Sequence, residues 1–214
     1  MNIIKHPAFP YSFPFVLCLV LIAMREFHPL AVYALYPVQT LAVGASILWV
    51  WKRLPSLKPS HWWGSLVIGI LGVVLWIGLD HLFLKHEPGS GFNPWIVDSY
   101  ALSCFLIFFR VAGPTLVIPI MEEIFWRGFL MRYLIQEDFE KIKLGTYTHF
   151  SFAVVTGMFA LVHGEQWFLG VVVGLLFGGW FVYTKNLGNV IAAHAVTNLL
   201  LGLYILQTGH WWFW

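Results

Sequence analysis

Residues 116–130 read Leu-Val-Ile-Pro-Ile-Met-Glu-Glu-Ile-Phe-Trp-Arg-Gly-Phe-Leu: a run of hydrocarbon carrying two adjacent carboxylates, Glu122 and Glu123, and one guanidinium, Arg127. Charge inside a membrane segment is rare, and where it is found it marks a functional site. On a helix Glu123 and Arg127 stand four residues apart and face each other as an ion pair. Glu122 lies about 100° round the axis and points elsewhere. A buried pair that locks helix packing accounts for Glu123 and Arg127, but not for a second carboxylate beside them. A carboxylate left over in a desolvated place suits proton transfer.

The rest of the chain makes this run a membrane segment. Of 214 residues 59% are hydrophobic and only 10% charged, with a mean hydropathy of +0.77. A soluble domain of this length needs more polar surface than that. The expected fold is all-α: a polytopic transmembrane helical bundle of about seven to eight spans, in one domain over 1–214 with its motifs in 121–199. Apolar runs place spans at 11–24, 29–51, 62–79, 95–121, 149–163, 167–183 and 189–207. Glycines 69, 72 and 78, and the stripe Gly170-x-x-x-Gly174-x-x-x-Gly178 with Gly179, read as close-packing positions rather than breaks. Cys18 and Cys104 lie in apolar segments and read as free thiols.

With the N-terminus inside, seven crossings put Lys5, Lys52, Arg53, Lys58, Arg127, Arg132, Lys141, Lys143 and Lys185 on the cytoplasmic side. Arg25 and Lys85 fall outside; His28, His61, His86 and His210 read as interface residues, and Glu26, Asp80 and Asp98 fall near span ends, with Asp80 a cap or a partner at the end of a long apolar helix. The aromatic end Trp211-Trp212-Phe213-Trp214 then anchors in the outer interface. This scheme sets Glu122 near the inner end of its span and His163 near the outer end of the next. A helix break at Gly113-Pro114, with a new helix from about 115, brings Glu122 deeper and makes the count eight.

Two further polar pairs sit in apolar runs, each one turn apart on a helix. Phe159 and His163 share one face; His194 and Asn198 share another and can both donate hydrogen bonds toward one point, as a developing oxyanion requires. Taken singly, His163 reads as an interface residue and His194 with Asn198 as interhelical glue. No G-x-S-x-G, H-E-x-x-H, Walker loop, dinucleotide fingerprint or C-x-x-C occurs, and the basic residues form no nucleic-acid face.

In order, E-E-x-x-x-R (Glu122, Glu123, Arg127), F-x-x-x-H (Phe159, His163) and H-x-x-x-N (His194, Asn198) resemble the CAAX prenyl protease and bacteriocin-processing family of glutamate-dependent intramembrane endopeptidases. Stretches such as Leu75-Trp76-Ile77-Gly78-Leu79-Asp80 and Val117 through Leu130 resemble its exosortase-associated bacterial subgroup. The resemblance implies that Glu122 activates water with His163 as partner, and that His194 and Asn198 stabilise the oxyanion. Glu123 and Arg127 orient the site, and Phe159 supports it. It also implies a peptide or protein substrate at the bilayer, exosortase-system components as partners, and a bacterial inner-membrane location.

No cofactor is expected. The alternative is a zinc-type site of Glu122, His163 and His194. Rival functions are a non-catalytic binding or chaperone partner of the sorting system, and a transporter using Glu122, Glu123 and Arg127 as an ion path. The absence of any inverted repeat speaks against the last.

Overall fold

The computed structural model describes residues 3–25, 31–86 and 91–214; Glu26, His28 and the Arg25 side chain lie outside these. Seven apolar helices occur among them: α1 (Phe9–Arg25), α2 (Ala31–Val50), α3 (Trp62–Phe83), α4 (Tyr100–Tyr133), α5 (His149–Leu161), α6 (Trp167–Thr184) and α7 (Leu187–Thr208). No strand occurs among the described residues. Five helices are long and apolar enough to cross a membrane, while α1 and α5 are shorter. Large apolar side chains are turned outward along them, including Leu48, Val67, Val74, Phe108, Leu116 and Leu161. A surface of that kind suits lipid.

The expected spans fall on these helices, with one correction. The fourth does not stop at 121, and no new helix starts near 115. Instead α4 runs unbroken for 34 residues and widens to π geometry at Gly113–Val117 and again at Ile124–Leu130. The cause of the first widening is visible in the sequence. Ile118 N–H reaches back five residues to the Gly113 carbonyl, and Pro119, next in line, has no N–H to give. The chain therefore accommodates its prolines by widening, not by breaking. Glu122 then lies eleven residues short of the helix end at Tyr133, about 16 Å along the axis. That depth removes the conflict between Glu122 and His163.

Helix ends follow local rules. Thr148 caps α5 by accepting from Ser151 N–H, and Asn186 caps α7 by accepting from Asn189 N–H. Lys185 (φ 54°) and Gly209 (φ 73°) close α6 and α7 in the left-handed region. The tight α6–α7 turn is tied to the α2–α3 loop, where Asn189 Oδ1 accepts from Ser60 N–H (2.8 Å) and His61 N–H (2.9 Å). Arg53 donates to the carbonyls of Ile4 and His6, and Gly145 packs against Lys185. The basic loops thus gather at one end of the bundle. Arg127 and Arg132 are not among them: both are buried within α4. Arg132 turns back to the Gly128 carbonyl and across to that of Ile142.

Close packing rests on part of the expected glycine set. A Cβ on Gly170 would stand 2.8 Å from Ala160 Cα, on Gly174 3.1 Å from the Phe159 ring, and on Gly178 2.8 Å from Phe152. These three seat α6 on α5. Gly69 and Gly72 do the same for α3 against Ala193, Val196 and Thr197 of α7. Gly78 and Gly179 meet nothing within 4 Å, so they are not packing positions. Gly170→Val is expected to destabilise the bundle by about 1–3 kcal/mol through overpacking, and Gly179→Val to be near neutral. Thermal unfolding of the two purified variants in detergent checks this; equal midpoints would remove the stripe's role.

Candidate active site

The π segments flank the two carboxylates of α4 and send them to different neighbours. Glu123 is fully buried, and its Oε1 accepts from Arg127 Nη1 (3.0 Å) and from His194 Nδ1 (2.9 Å). Arg127, 1% exposed, also reaches the Gly174 carbonyl (3.4 Å) and lies 4.6 Å over the Phe159 ring. Phe159 in turn packs beside His163, ring centroids 4.7 Å apart. Glu123, Arg127, Phe159 and His194 therefore form one unit joining α4, α5 and α7. A buried carboxylate with two cationic or donor partners is stable only while both remain.

Glu122 is treated differently. It lines a cavity of about 210 Å³ together with Trp76, Arg110, His163, His194 and Asn198. Its Oε2 is buried and accepts no hydrogen bond among the described residues. The structure thus brings Glu122, His163, His194 and Asn198 to one cavity, while Glu123, Arg127 and Phe159 stand behind it.

The ring nitrogens are assigned by their partners. His163 Nδ1 lies 2.7 Å from the Phe159 carbonyl. A carbonyl only accepts, so Nδ1 carries the proton and Nε2 keeps the lone pair in the neutral ring. His194 Nδ1 is likewise held against a carboxylate, which leaves its Nε2 as the free nitrogen. That Nε2 donates a hydrogen bond only when the ring is a cation. Asn198 Nδ2 donates to the Pro114 carbonyl (2.8 Å). The acceptor is the carbonyl that Pro119 cannot serve, so one amide hydrogen of Asn198 secures α4 and one remains.

Among the described residues no three His, Cys, Asp or Glu side chains are gathered as a metal site.

At this end of the bundle Asp80 is a partner rather than a cap, and it gathers residues far apart in the chain. Asp80 is fully buried and accepts from His86 Nε2 (2.9 Å), Trp212 Nε1 (3.2 Å) and Gln166 Nε2 (3.3 Å). It pins the segment after α7 and the start of α6 beside the cavity, which Gln166, Phe213 and Trp214 help to line. His86 and His210, expected at the interface, instead stack on Trp212. Arg110 is buried against the rings of Tyr36 (4.3 Å), Phe92 (4.5 Å) and Trp214 (5.6 Å). The usable signal was Asp80 itself, a carboxylate at the end of an apolar helix.

Removing one member of the buried unit has a calculable cost. Arg127→Ala should destabilise by about 3–5 kcal/mol, because Glu123 loses its cation in place. Glu123→Gln/Arg127→Met should regain most of that, since no charge is then stranded. Unfolding midpoints of the single and double variants decide it; a double variant no better than Arg127→Ala refutes the account.

Residues 102–200 match the family model described as type II CAAX prenyl endopeptidase Rce1-like, a stretch that holds all three motifs. The match supports the CAAX protease family and carries no exosortase association. No curated protein and no solved structure matches the chain.

Proposed function

We propose that this chain is an intramembrane endopeptidase that uses Glu122 and His163 to activate water. The observation that supports it most is Glu122 itself: a carboxylate with a buried, unpartnered oxygen, facing a cavity that it shares with His163, His194 and Asn198. Glu123 also keeps one buried oxygen without a partner, but its other oxygen is held by Arg127 and His194 and it stands behind the cavity.

In this reading Glu122 or His163 Nε2 takes a proton from water as the water oxygen bonds to the carbonyl carbon of the scissile peptide. The carbonyl oxygen becomes an oxyanion, met by the remaining amide hydrogen of Asn198 and by Nε2–H of a cationic His194. Collapse breaks the C–N bond; the held proton passes to the leaving nitrogen, giving an amine and a carboxylic acid. Glu123 orients the His194 ring, and Arg127 holds Glu123 in place. No resident metal is required, so cleavage should survive dialysis against EDTA; loss on dialysis and return with zinc would favour the metal alternative.

The basic loops stand at one end of the bundle, while His163, Gln166, His86 and Trp212 line a polar opening at the other. The positive-inside rule assigns the basic end to the cytoplasm. The site then opens to the outer face of a bacterial inner membrane. An outward site suits an exported substrate handled by an exosortase-type system better than a prenylated protein of the cytosol. The binding-partner reading keeps the same cavity without the chemistry.

The test compares membrane-protein termini by mass spectrometry in cells carrying wild type or Glu122→Gln, with the sorting system expressed. New termini found only with wild type are expected. Their absence, with both proteins inserted at equal level, would leave the binding-partner reading in place.

A further inference from the structure

A second cavity, of about 230 Å³, lies on the other side of Glu122. Arg110, Ile118, Glu122 and His163 line both it and the first cavity. Ile118 and Glu122 are one turn apart on α4, so they form a ridge with His163 and a chamber on either side. Besides the Glu122 and Arg110 that they share, each chamber is lined by one polar side chain with an unmatched buried atom. In the second it is Gln39 of α2, 3% exposed, whose Nε2 donates only to the sulfur of Cys18 (3.1 Å) and whose Oε1 is buried without a partner. Sulfur is a weak acceptor and donor, so turning the amide over still leaves one end unmatched. In the first chamber it is Trp76 of α3. Its Nε1–H is buried without a partner, and its ring meets His163 edge-on at 5.3 Å.

We infer that one substrate chain occupies both chambers, crossing the ridge at the bond to be cut, with Gln39 Oε1 accepting a backbone N–H on one side and Trp76 Nε1 donating to a backbone carbonyl on the other. This rests on the endopeptidase reading and specifies its substrate. The unmatched acceptor and donor are the complement of an extended peptide backbone, which offers N–H and C=O by turns along its length. A lipid or prenyl chain in the second chamber leaves Gln39 unmatched. Leu19 and Ile22 of α1 also line the second chamber and are exposed on the bundle's outer side. The flanking side chains of such a substrate are accordingly apolar. Gln39 and Trp76 are positioning residues, outside the proton transfer.

The test uses the full chain with Glu122→Gln, reconstituted in phosphatidylethanolamine–phosphatidylglycerol liposomes, with a photo-crosslinking p-benzoylphenylalanine in place of Leu19 or of Leu201. Leu19 reports the second chamber and Leu201 the first. The probe is a biotinylated peptide ending in a C-a-a-X tetrapeptide, with and without an S-farnesyl group, and wild type is assayed in parallel for its cleavage. Cross-links at both positions are expected, with Gln39→Leu weakening the one at Leu19 and sparing the one at Leu201. In the active enzyme Gln39→Leu should raise KM about five- to tenfold, the worth of one hydrogen bond, with kcat little changed. Its unfolding midpoint should not fall, since an unmatched buried group is removed; a merely structural Gln39 would lower the midpoint and leave KM alone.

Cross-linking at Leu201 alone, with cleavage by wild type, overturns the two-chamber track and leaves the endopeptidase standing. The same result with the farnesylated probe alone reaching Leu19 makes the second chamber a lipid site, which also overturns it. Cross-links at both positions without cleavage sink the catalytic reading and keep the track. No cross-link at either position removes the peptide from the site and overturns both.

Discussion

The shared acceptor Glu123 Oε1 is the point from which this bundle is organised. It takes a bond from Arg127 one turn further along α4 and another from His194 on α7, and Arg127 continues to a carbonyl of α6. Charge in hydrocarbon is tolerated only when each charge finds a partner of opposite sign with good geometry. Satisfying Glu123 therefore fixes the rotation of α4, the approach of α6 and the position of the His194 ring. It also decides what is left over. With one carboxylate of the pair consumed by structure, its neighbour faces the cavity with an oxygen that nothing else claims.

The proline-bearing turn of α4 is the second constraint, and it is joined to the first through α7. Pro119 cannot close the turn behind it, the helix widens, and the Pro114 carbonyl is released to Asn198. One turn of α7 thus holds α4 at two places, His194 at the carboxylate and Asn198 at the freed carbonyl. The spacing H-x-x-x-N is required for packing as well as for chemistry. The same two side chains serve both ends, which explains how a polar pair persists in a helix otherwise built from apolar residues.

How much of this could be read without coordinates depended on how far each feature reached along the chain. The helical bundle follows from hydrophobic runs, and the pairing of Glu123 with Arg127 from a spacing of four. Gathering Glu122, His163, His194 and Asn198 needed only the assumption of a common depth. The full length of α4 is not legible in hydropathy, because charge normally marks the end of a span. Arg127 and Arg132 are paid for inside the helix by carboxylate and carbonyl partners that hydropathy does not see. The glycines divided for a similar reason: Gly78 belongs to the same apolar helix as Gly69 and Gly72 but faces no neighbour, and facing is a property of the partner. Gln39, Trp76 and the partners of Asp80 are not legible in the sequence for the strongest version of that reason. Each matters through a contact, or a missing contact, with residues distant in the chain.

His163 ties these strands together. It lines the two chambers on either side of the α4 ridge and also a third, polar cavity with Lys85, His86, Glu165, Gln166 and Trp212 at the end of the bundle away from the basic loops. Hydrolysis inside a bilayer must solve a supply problem: the peptide prefers apolar walls and the water does not. A single imidazole at the junction of two apolar chambers and one polar cavity is where the two reactants of the proposed reaction can meet. Its Nδ1 is held by the backbone of its own helix, so the ring cannot turn away from that junction without losing the bond. The place of His163 in the turn just after α5 follows from the same requirement. One turn earlier stands Phe159, packed against Arg127 and His194 and absent from the walls of the polar cavity.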